Sequence, residues 1–232
     1  MGKLAARAAL EETKARGVHT PIVFAVVSDP VGGGLVASYE SSGNHVTGVT
    51  PRNEAIAGKR ISLLRELIPN ARRILLLWND PQTTGIEEVR RAAALADLEL
   101  IERHVENEQE IDNFLGSFVP ERTDVLLRAP DPLSARRVQE MADWAARHRI
   151  PLVGTNAGDV VRGALMSYGA DYYRIGEQAA YIVDRILTGA APSSIPIESA
   201  EKFELVVNRR TVGLLDITIP EGAFSQIDRF VE

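Results

Sequence analysis

Three short apolar runs in this chain end at an Asp-Pro pair, and each pair is followed by sequence that is compatible with a helix. The runs are Val23 to Ser28 before Asp29-Pro30, Ile74 to Asn79 before Asp80-Pro81, and Val125 to Pro130 before Asp131-Pro132. Asp accepts hydrogen bonds from the N–H groups of a first helical turn, and Pro has a suitable φ and no N–H to leave unpaired. The pattern predicts three strands that each turn into a helix.

These turns also predict where a ligand could bind. If the strands lie parallel in open α/β sheets, all three turns emerge at the carboxyl ends, where such sheets bind their ligands. A simpler interpretation is that Asp29, Asp80 and Asp131 only cap helices. The loops could line a ligand site even then, because the N–H groups at helix starts attract carboxylates and phosphates.

Strand-like and helix-like segments alternate along the chain. Helices are predicted at 3–16, 54–68, 82–95, 108–119, 133–149 and 172–188, and strands at 21–27, 46–50, 73–78, 98–104, 124–129, 151–154, 164–168 and 203–207. The run from Pro21 to Val27 is apolar on both faces, which is typical of parallel strands covered by helices on each side. The alternation predicts an α/β fold built from doubly wound parallel sheets.

Composition limits the class of protein. The chain has 232 residues, of which 45% are hydrophobic and 25% charged, so it can form one large or two small globular domains. Its formal net charge of -6 argues against nucleic acid or anionic lipid as a partner, because both require clustered cations. No stretch is long and apolar enough to span a bilayer. The N-terminal residues run directly into charged helical sequence, so we identify no signal peptide in this chain.

Catalytic chemistry has little support in the sequence. The chain has no Cys, which excludes thiolate sites but leaves the cellular compartment open. The four His residues are isolated from one another, and neither a G-x-S-x-G elbow nor a P-loop is present. We therefore expect no catalytic residue, no metal and no cofactor.

One glycine motif competes with this interpretation. Gly32, Gly34 and Ala37 fit the pattern G-x-G-x-x-A before an apparent helix from Leu35, and Glu54 follows at about the distance of a ribose-binding acid. However, four residues separate the strand from the first glycine, whereas a dinucleotide site needs a tight turn. The favoured alternative is a flexible turn into a helix, with glycines for close packing.

Several stretches resemble one protein family when they are taken in order. They are Pro21 to Gly32 (Pro-Ile-Val-Phe-Ala-Val-Val-Ser-Asp-Pro-Val-Gly), Gly34 to Ser38, Asn44 to Val49, Leu165 to Gly169, Ala179 to Leu187, Lys202 to Asn208 and Ile219-Pro220. As a set they resemble the substrate-binding proteins of ABC transporters, in the group that includes tryptophan- and other aromatic-amino-acid-binding members. The resemblance implies a type I periplasmic-binding-protein fold and a protein that closes two lobes around solute without chemistry.

The resemblance also implies a domain organisation. Lobe one would comprise 1–50 and 165–200, and lobe two 51–164 and 201–232. Family members begin with a signal and further strand-helix units before the equivalent of Pro21, so we expect this chain to be N-terminally truncated and lobe one to be incomplete. An uncovered sheet edge or apolar face predicts a homo-oligomer, most simply a twofold dimer.

The Asp-Pro turns and the resemblance together predict a set of ligand-binding residues. They are Ser28 and Asp29 in lobe one, Asn79, Asp80, Asp131, Thr155 and Asn156 in lobe two, and Ser167 and Tyr168 near a crossover. Ser28 and Thr155 are expected to bind a ligand carboxylate, and Asp131 or Asn156 its ammonium. Trp78 and Tyr168 could stack on an aromatic ring, although a Trp that ends an apolar run more often lies in a core.

The leading hypothesis is the solute-binding component of an ABC importer, with a small amino-acid-like ligand. The resemblance implies an ABC permease as partner and a periplasmic or extracytoplasmic location. A second hypothesis, motivated by the lack of a signal peptide, is a cytosolic ligand-sensing domain of the same fold, or a remnant whose partner supplies the missing part. The third and least favoured is a nucleotide-dependent enzyme that uses Gly32 and Gly34.

Overall fold

A computed structural model describes residues 2–52, 56–80, 85–121 and 124–232 of the chain. The chain divides into two compact units, unit 1 with Met1–Arg52 and Ala170–Phe203 and unit 2 with Asn53–Gly169 and Glu204–Glu232. The predicted lobe boundaries after residues 50, 164 and 200 differ from these by a few residues. That the units act as two lobes around a solute stays a prediction.

Helices and strands alternate along the described residues. The helices are α1 (Gly2–Ala15), α2 (Ala57–Leu67), α3 (Ile86–Leu95), α4 (Glu108–Ser117), α5 (Pro132–Arg136), α6 (Val138–His148), α7 (Ala157–Val161), α8 (Tyr172–Leu187), α9 (Arg209–Leu214) and α10 (Glu221–Phe224), with a 3-10 turn at Pro192–Ser194. The strands are β1 (Ile22–Phe24), β2 (Val46–Thr50), β3 (Arg73–Trp78), β4 (Glu99–His104), β5 (Asp124–Arg128), β6 (Leu152–Gly154), β7 (Met166–Ala170), β8 (Glu198–Ser199), β9 (Phe203–Asn208) and β10 (Arg229–Val231).

Unit 1 contains a three-stranded sheet with the order β1-β2-β8, in which both strand pairs are parallel. Leu10 of α1 packs with Phe24 and Val46 in one core cluster. Ile175 and Ile182 of α8, two helical turns apart, belong to a second cluster. Strand β1 lies at one end of this sheet order in the described residues, and self-association through that edge stays a prediction.

Unit 2 is built on a seven-stranded sheet with the order β10-β9-β7-β6-β5-β3-β4. The β3–β4, β3–β5, β5–β6, β6–β7 and β9–β10 pairs are parallel. Along β3, Ile74 and Leu76 belong to one core cluster, and Leu75 and Leu77 belong to another. Successive side chains of a strand point to opposite faces, so this alternation accounts for a strand that is apolar throughout.

The parallel α/β architecture predicted from the alternation is confirmed. Asp29 follows β1, Asp80 follows β3 and Asp131 follows β5. Strand β1 is parallel to β2, and β3 is parallel to both β4 and β5. All three aspartates therefore stand beyond the carboxyl ends of parallel strands, Asp29 in unit 1 and the other two in unit 2.

The predicted helix after Asp29-Pro30, beginning at Leu35, is wrong. Residues 30–34 form a turn, in which the N–H of Gly33 donates to Asp29 O at 3.1 Å. Gly34 has a φ of +68°, which lies in the left-handed region and interrupts a right-handed helix. Leu35 is instead fully buried in the core of unit 1. Strand β1 is also shorter than predicted, because it ends at Phe24 rather than at Val27 or Ser28.

Other segments differ from prediction in their boundaries. The helix predicted at 133–149 is two helices that meet at Arg137, where φ is -104° and ψ is 12° and the N–H closes a tighter turn on Ser134 O. The short elements α7, α9, α10, β8 and β10 were not predicted, because they contain too few residues for a periodic pattern. Glu54 and Pro81, on which two predictions rested, lie outside the described residues.

Gly48 of β2 lies too close to β1 for a side chain, so we expect its substitution to cause a large loss of stability. A Cβ at Gly48 would lie 2.0 Å from Phe24 O, and the residue has a φ of +153°. We expect Gly48→Ala to lower the free energy of unfolding by more than about 2 kcal/mol, because β1 and β2 would have to separate. Urea unfolding measures the change.

Gly58→Ala is the matched control, since a Cβ there meets nothing within 4 Å and the residue lies in α2. This variant should be neutral or more stable by up to about 1 kcal/mol, because Ala favours a helix over Gly. Equal effects of the two substitutions would contradict the described pairing of β1 with β2.

Candidate functional site

Polar residues that follow three strands meet where the strands of the seven-stranded sheet have their carboxyl ends. We call this side of the sheet the carboxyl edge. Asn79 follows β3, Asp131 follows β5, and Thr155 and Asn156 follow β6. The N–H of Asn79 donates to Asp131 Oδ2 at 3.3 Å, so the loops after β3 and β5 are joined directly. The side chain of Asn79 donates to Val105 O at 2.8 Å, which ties the same edge to the end of β4.

Asp131 is a buried helix cap. Its Oδ1 accepts the N–H of Ser134 at 2.8 Å in the first turn of α5, and the residue is 2% exposed. Burial raises the pKa of its carboxyl above the ordinary value, while the hydrogen bonds from Ser134 and Asn79 act in the opposite direction. Both carboxylate oxygens are therefore engaged inside unit 2, as the capping interpretation predicted.

Arg128, the last residue of β5, connects this cap to β6. Its side chain is 3% exposed, and its Nη1 donates to Ala129 O at 2.8 Å and to Ser134 Oγ at 3.3 Å. Its Nη2 donates to Thr155 Oγ1, and its Nε donates to Asp159 Oδ2 at 2.8 Å. One guanidinium thus contacts three segments of the carboxyl edge.

Asp159 completes the set from α7. Its Oδ2 accepts the N–H of Thr155 at 2.7 Å and the hydroxyl of Thr155 at 3.2 Å. The side-chain amide of Asn156 donates to Thr155 Oγ1 at 3.3 Å. Hydrogen bonds therefore run continuously from Asn79 through Arg128 to Asn156, across the ends of β3, β5 and β6.

Two glycines allow the chain after β6 to lie close to the sheet. A Cβ at Gly154 would lie 2.5 Å from Asp159 Cβ, and a Cβ at Gly169 would lie 2.0 Å from Thr155 O. Neither position has room for a side chain. The absence of Cβ atoms thus lets the Thr155 to Asp159 segment pack directly over the ends of β6 and β7.

Ser167 and Tyr168 lie on β7, the neighbouring strand. Ser167 pairs with Gly154 in the strand register, is 1% exposed, and has a hydroxyl without a hydrogen-bond partner among the described residues. Tyr168 packs against the core of unit 2, and its carbonyl accepts the Nε of Arg60 at 3.0 Å. Burial raises the pKa of the Tyr168 hydroxyl, Asp228 raises it further, and Arg60 lowers it.

Trp78 belongs to the core of unit 2 more than to the edge. It packs against a buried apolar cluster, and its ring centroid lies 4.7 Å from that of His104. This placement favours the core interpretation over stacking on a ligand. Asp80, two residues beyond β3, is partly buried.

Ser28 and Asp29 belong to the carboxyl edge of the sheet in unit 1. Ser28 O accepts the hydroxyl of Thr50 at 3.1 Å, and Asp29 Oδ1 accepts the N–H of Gly32 at 2.8 Å. A Cβ at Gly32 would lie 2.1 Å from Asp29 Oδ2, so this glycine lets the turn close around the carboxylate. Gly32 thus serves close packing and Gly34 a left-handed turn, and the helix that a dinucleotide site requires does not follow them.

The described part of the chain holds no group of three or more His, Asp or Glu side chains suited to a metal ion. A search of the same residues for a helix with the length and apolar character needed to cross a membrane found none.

A family model described as ABC transporter substrate binding protein matches residues 3–229. The chain belongs to this family. Its members bind solutes and are not catalytic, so the hypothesis of a nucleotide-dependent enzyme is wrong and the resemblance drawn from the sequence is confirmed.

Relatives of this substrate-binding protein include the tyrosine-binding protein of Clostridioides difficile (strain R20291), which is 27% identical over 215 residues. That match covers 91% of this chain, and the chain spans 60% of the relative's own length. A conserved domain protein from Vibrio cholerae is similar in structure, with a TM-score of 0.79, 30% identity, and coverage of 91% of this chain and 71% of that one.

An ABC domain from Streptococcus pneumonia, solved in complex with L-Trp, has a TM-score of 0.78 and 23% identity. The match covers 91% of this chain and 72% of that one. At this identity the comparison shows the fold alone, and it supports the type I periplasmic-binding-protein architecture of the family.

Sequence reasoning missed Arg128, Ser134 and Asp159 in this substrate-binding protein. Arg128 carried a signal, because a cation at the end of the apolar run from Val125 requires a buried anion nearby. Ser134 stands at the third position after a capping aspartate, which is the spacing of a cap contact. Asp159 carried no comparable signal, because its helix is five residues long.

The raised pKa of Asp131 predicts how stability depends on pH. The folded state holds the proton of this carboxyl more tightly than the unfolded state, so its contribution to the free energy of unfolding falls as pH rises from the unfolded to the folded pKa. Asp131→Asn removes this titration. We therefore expect wild type to lose stability relative to the variant from about pH 4 upward, until Asp131 is fully ionised.

Urea unfolding of both proteins between pH 4 and pH 8 measures this difference. If the free energies of unfolding of the two proteins differ by the same amount at every pH, burial does not raise the pKa of Asp131.

Proposed function

We propose that this chain is the solute-binding component of an ABC importer and that its solute is an aromatic amino acid. The observation that carries the proposal is the hydrogen-bonded network at the carboxyl edge of β3, β5 and β6, in a chain of the substrate-binding family. Support for the ligand class comes from the relative named as tyrosine-binding and from the related fold solved with L-Trp.

The network suggests different roles for the predicted ligand-binding residues. The hydroxyl of Thr155 donates to Asp159 and receives hydrogen bonds from Arg128 and Asn156, which uses its full capacity. The carboxylate of Asp131 accepts from two backbone N–H groups. We therefore assign Thr155 and Asp131 to holding the edge in shape rather than to the first contacts with solute.

Asn156 is the residue that we assign to the solute's polar end. Its side-chain amide spends one N–H on Thr155, which leaves Oδ1 to accept from an ammonium group and a second N–H to donate to a carboxylate. Ser167 offers a buried hydroxyl on the neighbouring strand, and Tyr168 offers an aromatic ring. Ser28, Asp29, Asn79 and Asp80 stay predicted contacts.

We place this chain outside the cytoplasm, where substrate-binding proteins of this family work, and propose an ABC permease as its partner. Solute binding is the event that such a partner would sense. Restoring uptake in cells that lack the native binding protein tests the importer role, and solute binding without uptake would favour the cytosolic sensing hypothesis.

Solute binding is tested by thermal denaturation in the presence of single amino acids. L-Trp, L-Tyr and L-Phe should raise the melting temperature. At a ligand concentration of 100 times the dissociation constant, the free energy of unfolding should rise by about 2.7 kcal/mol. L-Ala and ribose serve as controls that lack the aromatic ring or the amino-acid group. Stabilisation by ribose alone would contradict the proposed ligand class.

Asn156→Ala should weaken binding of the most stabilising amino acid by roughly tenfold or more, because hydrogen bonds to charged groups contribute about 1.5–3 kcal/mol. Calorimetric titration at a temperature where the variant is folded gives the dissociation constant. Asn113→Ala is the control, since Asn113 is exposed on α4. Equal dissociation constants for the two variants would remove Asn156 from the site.

A further inference from the structure

The Arg128–Asp159 ion pair is almost completely buried. The two side chains are 3% and 5% exposed, and their Nε–Oδ2 distance is 2.8 Å. Removing two charges from water is costly, and apolar residues of similar volume often replace such pairs without loss of stability. The presence of the pair therefore needs an explanation other than stability.

Both partners of the pair hold the same residue. Arg128 Nη2 donates to Thr155 Oγ1, while Asp159 Oδ2 accepts the N–H and the hydroxyl of Thr155. These contacts fix the backbone of Thr155 and the rotation of its hydroxyl at once. Asn156, the next residue, in turn donates to that hydroxyl. The orientation of the Asn156 amide thus depends, through Thr155, on the charged side chains of Arg128 and Asp159.

Packing below the segment reinforces this arrangement. Gly154 lies under Asp159 and Gly169 lies under the carbonyl of Thr155, with no space for a Cβ in either place. The segment is therefore held by ionic contacts at one side and by direct backbone packing at another. Such a segment has little freedom left to lose when a ligand binds.

We infer that Arg128 and Asp159 are positioning residues, which hold Thr155 and thereby preset Asn156 for solute, without contacting the solute themselves. The inference rests on the proposed function of Asn156. It assigns to the ion pair a part of the binding affinity, because a preset site avoids the entropy cost of ordering its own groups.

The chain offers a control for this pair at the amino ends of strands in the same sheet. Arg73 and Asp124 stand at the amino ends of β3 and β5, where Nε donates to Oδ1 at 2.6 Å and Nη2 donates to Oδ2 at 2.8 Å. The Asp124 side chain is fully buried. Asp124→Asn and Asp159→Asn therefore each remove the buried carboxylate of an ion pair, although Arg73 is 21% exposed and Arg128 only 3%, and of the two aspartates only Asp159 touches Thr155.

The test is calorimetric titration of both variants with L-Trp and with L-Tyr, below the temperature at which either begins to unfold. We expect Asp159→Asn to weaken binding roughly tenfold or more and Asp124→Asn to leave it within about twofold, although both lose stability. Equal affinities would overturn the positioning role. The double variant Arg128→Met/Asp159→Leu removes both charges, and it should recover stability without recovering affinity.

Hydrogen exchange of the Thr155 amide provides a readout that needs no ligand. We expect exchange to become at least about tenfold faster in Asp159→Asn and to stay unchanged in Asp124→Asn, since only the former loses the carboxylate that accepts this N–H. Unchanged exchange in both variants would overturn the inference. Wild type that binds neither amino acid would refute the proposed ligand class, while the exchange result would still decide the positioning role.

Discussion

A guanidinium buried at the end of a strand needs a counter-ion and hydrogen-bond acceptors. In unit 2 these partners determine the shape of the carboxyl edge. Arg128 ends a strand that is apolar between its two charged ends, Asp124 and Arg128, and its hydrogen bonds reach three segments of that edge. Asp159 neutralises its charge, while Ala129 O, Ser134 and Thr155 accept three further hydrogen bonds from it. Because a partly satisfied buried network is costly, these side chains favour one arrangement together.

The sheet determines where this arrangement occurs. Strands that are apolar on both faces bury their side chains under helices, so polar groups are concentrated at strand ends. Parallel pairing then puts the ends of β3, β5 and β6 along one edge. The substrate-binding function that we propose uses that edge, whereas the amino ends of β3 and β5 carry a separate ion pair between Arg73 and Asp124, to which Glu121 also bonds.

Sequence patterns predicted the parts of this structure that repeat. The helix from Tyr172 was evident from its periodicity, and β3 from the continuous apolar run Ile74 to Leu77. The aspartates of the Asp-Pro pairs do stand beyond the carboxyl ends of parallel strands, although β1 ends earlier than predicted. The helix expected after Asp29 failed because adjacent glycines permit many conformations, and contacts with Leu35 in the core decide among them. The role of Asp159 could not be predicted, because it depends on close packing against Gly154, which only the tertiary structure brings about.

We propose that this substrate-binding protein holds an aromatic amino acid at the carboxyl edge to which Asn156 belongs. Nuclear magnetic resonance of the side-chain amides during titration with L-Trp or L-Tyr tests it most directly. We expect a saturable shift of the Asn156 side-chain amide resonances, with those of exposed Asn113 unchanged. Saturable binding that leaves the Asn156 amide unshifted would contradict it.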